Sequence, residues 1–550
     1  LWKFRNDDRG QPVNADKKIN NKGDKKVKKR SLVFVLMFLI ACLALTGCSS
    51  GPSSPAPAAS SGEKVLKLRL PSSLASLNPQ HTTALRDMKV WTQIYEGLYG
   101  IDESKNGYYM ELAKDVKLSA DKKEYTITLR DGVKFHNGEP LKASDVVFTY
   151  NRAKKDPRFG YLTAKIKEVS AVNDSTVKIT LSEAYAPILH TFYSLKIINE
   201  KEVTALGDKF GTVPSKAGTG PYYPTEYNVA TGVKLQAFDG YWGGAPNIKK
   251  IEYRVISDDA AVQVAFHNKE LDYLEDVALS NWNSLKEKAG PENNAMIKGN
   301  NIHFVAVNYQ SPTNNGVLAN DKVRQAIFYA INKDDINKAM AAGHGTPAVT
   351  YMPHEYVPTS PETGFETYKF NQAKAKELLK EAGFPNGVEV GTIISYPSPT
   401  SFNGIIAQVI QSNLADVGIK ANVQIAENAI ITPKMYAQNY DLAVFSDSNN
   451  FDFNNIRQQV HSESKGMYLV KYKDGKFDWQ RIEKLVELGA AAADNNERLK
   501  HYTELWKIVM DSATIDPLLH RPVAIVWAKD LNIGKPVPTI YKVKAFSWKK

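Results

Sequence analysis

The stretch "EYTITLRDGVKFHNGEPLKASDVVFTYNRAKKDP" (Glu124 to Pro157) carries two structural periods in succession. Tyr125, Ile127 and Leu129 alternate with polar neighbours, which places them on one face of a strand. Asp131-Gly132 then reads as a two-residue hairpin turn into Val133-Lys134-Phe135. Farther on, Val146, Val147, Phe148 and Tyr150 fit a helix, for which Ser144 suits the N-cap and Asp145 the positive end. A strand period followed at once by a helix period predicts a mixed α/β chain.

The same alternation returns outside this stretch, at "STVKITL" (Ser175 to Leu181) and "IKKIEYRVI" (Ile248 to Ile256). The later half is richer in helices. From Asp321, apolar Val323, Ala326, Ile327, Ala330 and Ile331 recur at helical spacing. Asn371 caps a predicted helix that buries Ala375, Leu378, Leu379 and Ala382 and stops at Gly383. Leu499, Tyr502, Trp506 and Val509 trace another stripe. These faces read as core.

The N-terminal region has a different character. Lys28, Lys29 and Arg30 precede the apolar run Ser31 to Leu45, too short to span a bilayer comfortably, and then Leu45-Thr46-Gly47-Cys48. The quartet resembles a bacterial lipobox, in which the cysteine receives a diacylglyceryl group. That reading makes residues 27–47 a lipoprotein signal peptide, Cys48 the lipidation site, and the Ser/Pro/Ala-rich residues 48–63 a flexible tether. Val27 serves as a start if its codon is GTG, so residues 1–26 read as an untranslated leader or an N-terminal extension.

Charge and cysteine usage narrow the class. Residues 1–47 hold 11 Lys/Arg and 4 Asp/Glu, so they carry +7 of the net +11. No case for nucleic acid remains in the rest. The two cysteines are Cys42, inside the signal, and Cys48, so the body has neither a disulfide nor a cysteine metal site. No Gly-x-Ser-x-Gly elbow, His-Glu-x-x-His pair or Gly-x-x-x-x-Gly-Lys-Ser/Thr loop is present. Gly218-x-Gly220 is followed by Pro221, which has no amide to offer a phosphate. The expectation is a protein that is not an enzyme, with no cofactor, no catalytic residue and no metal.

Several stretches carry a family resemblance: Tyr125 to Pro157, "LNPQHTTALRDMKVWTQIYEGLY" (Leu77 to Tyr99), "GTGPYYPTEY" (Gly218 to Tyr227), "FDGYWGGAPNIKKIEYRVI" (Phe238 to Ile256), "VRQAIFYAINKDDI" (Val323 to Ile336), "FNQAKAKELLKEAGFPNG" (Phe370 to Gly387) and "ATIDPLLHRP" (Ala513 to Pro522). Together they resemble the bacterial extracellular solute-binding proteins of oligopeptide, dipeptide and nickel importers. The resemblance implies a two-lobed, periplasmic-binding-protein-like α/β fold with an accessory domain and a ligand cleft between the lobes. It assigns residues 64–107, 217–311 and 521–550 to a main lobe, 108–216 to an accessory α+β domain and 312–520 to a second lobe. Crossovers fall near Ser311 to Gly316 and Asp516 to Pro522.

The implied function is capture of oligopeptides by a monomer tethered through a lipid to the outer face of the cytoplasmic membrane, as on a Gram-positive-type surface. Delivery would be to ABC permease and ATPase subunits. Alternatives are a nickel-type metal chelate, an oligosaccharide, a ligand-presenting sensor or an exported hydrolase. The implied site strand is "YDLAVFSDSNNFDFNN" (Tyr440 to Asn455). Peptide-binding relatives place an Asp there to meet the peptide amine, which points to Asp447, with Phe445, Ser448 and Asn449 beside it and Asp452 as runner-up. Asp447 falls about one place early against that pattern. Asn308 and Tyr309 are placed like cleft-edge residues of the family, and His461 like the first of its His-Ser pair. Trp282 and Trp527 are further aromatic candidates.

Overall fold

The computed structural model describes residues 63–81, 85–102, 107–350, 367–396, 402–448, 453–461, 479–492, 494–538 and 540–549. Cys48 and the tether lie outside them. Among the described residues, no helix is long and apolar enough to cross a membrane.

Val65–Leu70 alternates half-buried and buried positions, as a strand with one covered face should. It belongs to an eleven-stranded sheet. Across the sheet the order is Ile419–Ile425, Val388–Ser395, Leu442–Ser448, Asn294–Val307, Ile515–Trp527, Tyr273–Leu274, Val65–Leu70, Lys250–Val255, Gly232–Ala237 and Tyr222–Asn228. The short strand Thr346–Pro347 pairs with Ile515–Trp527 off this path.

Two long central strands, Asn294–Val307 and Ile515–Trp527, run antiparallel and join the two lobes. One apolar cluster gathers Leu66, Leu68, Ile251, Tyr253, Val523 and Ile525; another gathers Ile302, Phe304, Leu442, Val444, Ile515 and Leu519. Ile297 packs against the first and Ile302 sits in the second, so one passage between clusters lies between them. The other lies between Leu519 and Val523. The ladder is irregular between Lys298 and Ile302. A Cβ on Gly299 there would sit 2.3 Å from the Arg521 carbonyl oxygen, so the two backbones approach this closely only with glycine. The first passage precedes Ser311–Gly316, where Asn314 and Asn315 instead form a left-handed turn.

The accessory elements form a four-stranded antiparallel sheet, Ala113–Leu118, Glu124–Leu129, Thr176–Leu181 and Ile166–Asn173. Its own cluster contains Ile127, Val146, Val177 and Phe192. Two local expectations are corrected here. The turn at Asp131-Gly132 forms, with Gly132 at φ 72°, but it makes no hairpin. Both edges of Glu124–Leu129 are already paired, and Lys134 bridges Pro140 instead. The helix Ala143–Lys155 is capped at Lys142 rather than Ser144. The Asp145 carboxylate accepts the Lys142 N–H at 3.1 Å and the Glu200 N–H at 3.0 Å, satisfying an orphan amide and tying down the start of helix Glu200–Leu206.

In the later half, Asn320 caps helix Asp321–Ala330 and Asn371 caps helix Gln372–Glu381, with Gly383 left-handed at its end. The Gly218-x-Gly220 pair also has a packing role. Gly220 N–H donates to the Ile94 carbonyl at 2.9 Å, and a Cβ on Gly218 would stand 2.1 Å from that oxygen. His136 is buried beside it, its Nε2 2.8 Å from the Gly220 oxygen.

Candidate ligand-binding site

Leu442–Ser448 runs parallel to Val388–Ser395 and antiparallel to Asn294–Val307, so its C-terminal end, Ser448 opposite Asn301, lies at the passage between clusters. From the other side, Tyr273–Leu274 runs antiparallel to Ile515–Trp527 and also ends toward the passage. Glu275 and Asp276 follow directly. Ligands of α/β sheets bind outside the C-terminal ends of strands, and a cavity of about 110 Å³ opens at the end of Tyr273–Leu274. Its lining includes Arg69, Lys89, Glu275, Asp276, Phe402 and Arg521.

Three ion pairs line this wall. Arg521 meets Asp276 end-on, Nη1 to Oδ1 at 2.7 Å and Nη2 to Oδ2 at 2.8 Å. Lys89 Nζ is 2.5 Å from Glu275 Oε1, and Arg69 Nη2 is 2.8 Å from Asp259 Oδ1. Burial opposes charge on Asp276, but the Arg521 guanidinium outweighs it and holds that carboxyl below the ordinary range. Glu275 goes the other way, because burial exceeds the help from Lys89 and raises it. The lining therefore carries fixed charge of both signs in balance.

The backbone at this cavity is strained at two points. Asp276 has φ 51° and Phe402 has φ 58°. A left-handed non-glycine residue costs about 1–2 kcal/mol, and such residues collect at functional sites. Phe402 also brings the second cluster to the cavity, since it packs there.

Beside Phe402, Asn403 Oδ1 lies 2.8 Å from His303 Nδ1, and Asn403 Nδ2 donates to Ser446 Oγ at 3.3 Å. Burial lowers the His303 pKa to about 4, aided by the nearby Arg521 charge, so the imidazole is neutral at neutral pH. His303 and Ser446 are cross-strand partners and share one face. Asp447 pairs with Ile302 and takes the opposite face. In a strand, one place in sequence is a change of face, which is what the early position of Asp447 amounts to. Its Oδ2 accepts from Gln459 Nε2 at 2.8 Å.

The other expected residues are dispersed. Phe445 is buried against Phe304, centroids 5.6 Å apart. Asn308 Nδ2 donates to the carbonyls of Gln438 and Tyr440, each at 2.9 Å. Tyr309 is buried with the Arg324 guanidinium 5.6 Å from its ring. His461 is buried with Nε2 3.9 Å from Glu487. Ser448 is described through its backbone, opposite Asn301. Asn449 and Asp452 lie outside the described residues. Trp282 and Trp527 are core residues. Among the described residues, no group of three or more His, Cys, Asp or Glu is placed to hold a metal ion.

Sequence reasoning missed Lys89, Glu275, Asp276 and Arg521. Arg521 sits inside the quoted "ATIDPLLHRP", but its partner is 245 residues away, and no local pattern links them.

Comparisons with known proteins bear on this geometry. A model of the middle region of bacterial extracellular solute-binding proteins, family 5, matches residues 107–465. The glutathione-binding protein GsiB of Pectobacterium atrosepticum is 30% identical over 361 residues, 64% of this chain and 67% of that one. Among solved structures, HbpA2 from Haemophilus parasuis aligns with TM-score 0.76 at 24% identity, over 88% of this chain and 100% of its own. NikA from Brucella suis, in complex with Fe(III)-EDTA, aligns with TM-score 0.77 at 21% identity, over 88% and 100%. These likenesses share the two-lobed fold described above, and the family match spans most of the chain. The chain belongs to the bacterial extracellular solute-binding proteins of family 5, related to those of oligopeptide, dipeptide and nickel ABC importers.

Proposed function

We propose that this protein captures short peptides outside the cytoplasmic membrane, held there by lipid on Cys48, and delivers them to the permease and ATPase subunits of an ABC importer. The observation that carries this reading is the cavity at the passage, lined by three ion pairs of the main lobe together with Phe402, which packs against the second cluster. A zwitterionic peptide offers one charge of each sign to such a wall, and an unpaired buried charge would be costly. Main-chain hydrogen bonds add affinity without regard to side chains, as in strand addition. Lobe closure then follows from the ligand's greater affinity for the closed form.

Relatives named for glutathione favour the short end of the range, since glutathione is itself a tripeptide-sized molecule. A metal chelate is the second reading, on the likeness to NikA with Fe(III)-EDTA. Native mass spectrometry of the full chain, followed by denaturation to release what co-purifies, separates them. A set of peptide masses of narrow length supports peptide capture; a single metal-bearing species overturns it. Asp447→Asn completes the test: loss of the peptide set assigns the ligand amine to Asp447, and unchanged capture leaves Asp447 as the partner of Gln459.

A further inference from the structure

The guanidinium of Arg521 is only half used. Asp276 occupies its end, with Nη2 donating a hydrogen bond to Oδ2 and Nη1 at ion-pair distance from Oδ1. Its side chain is 7% exposed, yet Nε has no hydrogen-bond partner among the described residues. Arginine carries five N–H donors in a rigid fork, so the side edge, formed by Nε–H and the second Nη2–H, is a separate bidentate face. A buried donor left without an acceptor is costly, and a charge-assisted bond to a carboxylate is roughly twice as strong as a neutral one.

We propose that this side edge takes a carboxylate of the bound solute, with Asp276 as the internal carboxylate that holds the guanidinium in place from its other end. The inference deepens the peptide reading and rests on the same cavity. Two carboxylates do not compete for the same hydrogens in this arrangement. The cavity, about 110 Å³, is small beside the roughly 300–1,000 Å³ of pockets that hold whole ligands, so it suits the end of a ligand. The other charges set a limit as well. Arg69 and Lys89 are matched by Asp259 and Glu275, so a second ligand carboxylate would meet no unmatched cation. The site therefore prefers one free carboxyl terminus to its amide.

The test presents the full chain with an equimolar mixture of random tripeptides, as free acids and as C-terminal amides, and reads captured species by native mass spectrometry. Free acids are expected at least tenfold over amides. Arg521→Gln should abolish the preference, and Asp276→Asn should widen it, an effect that a merely structural ion pair would not produce. Arg521→Lys keeps a charge without the side edge and should also lose the preference; it serves if Arg521→Gln fails to fold. Equal capture of acids and amides overturns the inference while keeping peptide capture. If no tripeptide is captured, the peptide reading fails, and thermal shifts with N-acetylglycine and N-acetylglycinamide decide the subsite alone. A shift with the acid only, lost in the Arg521 variant, sustains the carboxylate site. No shift, or equal shifts, overturns it.

Discussion

Removing the amine of Lys333, by Lys333→Met, should destabilise the protein by an amount that grows with pH. Lys333 Nζ lies 2.8 Å from Asp516 Oδ1 and also donates to the carbonyls of Pro517 at 2.6 Å and Ala348 at 3.2 Å. Asp516 is fully buried at the start of the long strand Ile515–Trp527. Burial pushes its pKa up to about 6 even with Lys333 beside it. A carboxyl raised in the folded state binds its proton more tightly there than when unfolded. Stability is therefore lost as pH rises from the unfolded value of 3.8 through about 6. At 1.36 kcal/mol per pKa unit, the loss from this group is about 3 kcal/mol. Taking away Lys333 leaves a buried charge uncompensated, which costs about 3–5 kcal/mol. At pH 4, where Asp516 is largely protonated, the penalty should fall below half of that. Urea denaturation of wild type, Lys333→Met and Asp516→Asn at pH 4, 5, 6 and 7 gives both quantities. Asp516→Asn should gain about 3 kcal/mol on wild type between pH 4 and 7. A Lys333→Met penalty that is flat with pH, or an Asn variant that keeps a constant offset, would refute the reasoning.

Three further outcomes are expected. Gly218→Ala should cost about 3 kcal/mol or more, because its Cβ would meet the Ile94 carbonyl at 2.1 Å and that backbone cannot yield; the urea midpoint reads it. Arg324→Met should cost about 3 kcal/mol, since the fully buried guanidinium serves the carbonyls of Leu318 at 2.8 Å and Ser512 at 3.0 Å; a loss under about 1 kcal/mol would contradict this. Glu96 is raised to about 7 by burial and by Glu111, against Lys542 and its bonds from Tyr241 and Trp242. Its contribution therefore falls as pH rises from the ordinary carboxylate range to about 7, and Glu96→Gln should flatten the pH dependence of stability in that window.

Much of the local structure was legible in the sequence because its causes are local. Alternation at Tyr125, Ile127 and Leu129 became a strand, and the cap at Asn371 formed, each decided by residues a few places apart. The misreadings were also instructive. Asp131-Gly132 has the chemistry of a hairpin, but the preceding strand found both partners elsewhere. Ser144 is a good cap by type, yet Asp145 captured the amide before it.

The sequence by itself determined the membership of the chain in its family and the alternating or helical character of most segments. Those properties reside in short stretches whose spacing survives without tertiary contact. Only the tertiary structure decided where the charged wall lies. Arg521 and Asp276 come together because a central strand and the end of Tyr273–Leu274 are neighbours in one sheet. It also decided which face each residue of Leu442–Ser448 presents, since register against Asn294–Val307 puts Ser446 beside His303 and turns Asp447 away. Strand pairing is a long-range choice made by the buried faces of the whole sheet, so no local window contains it.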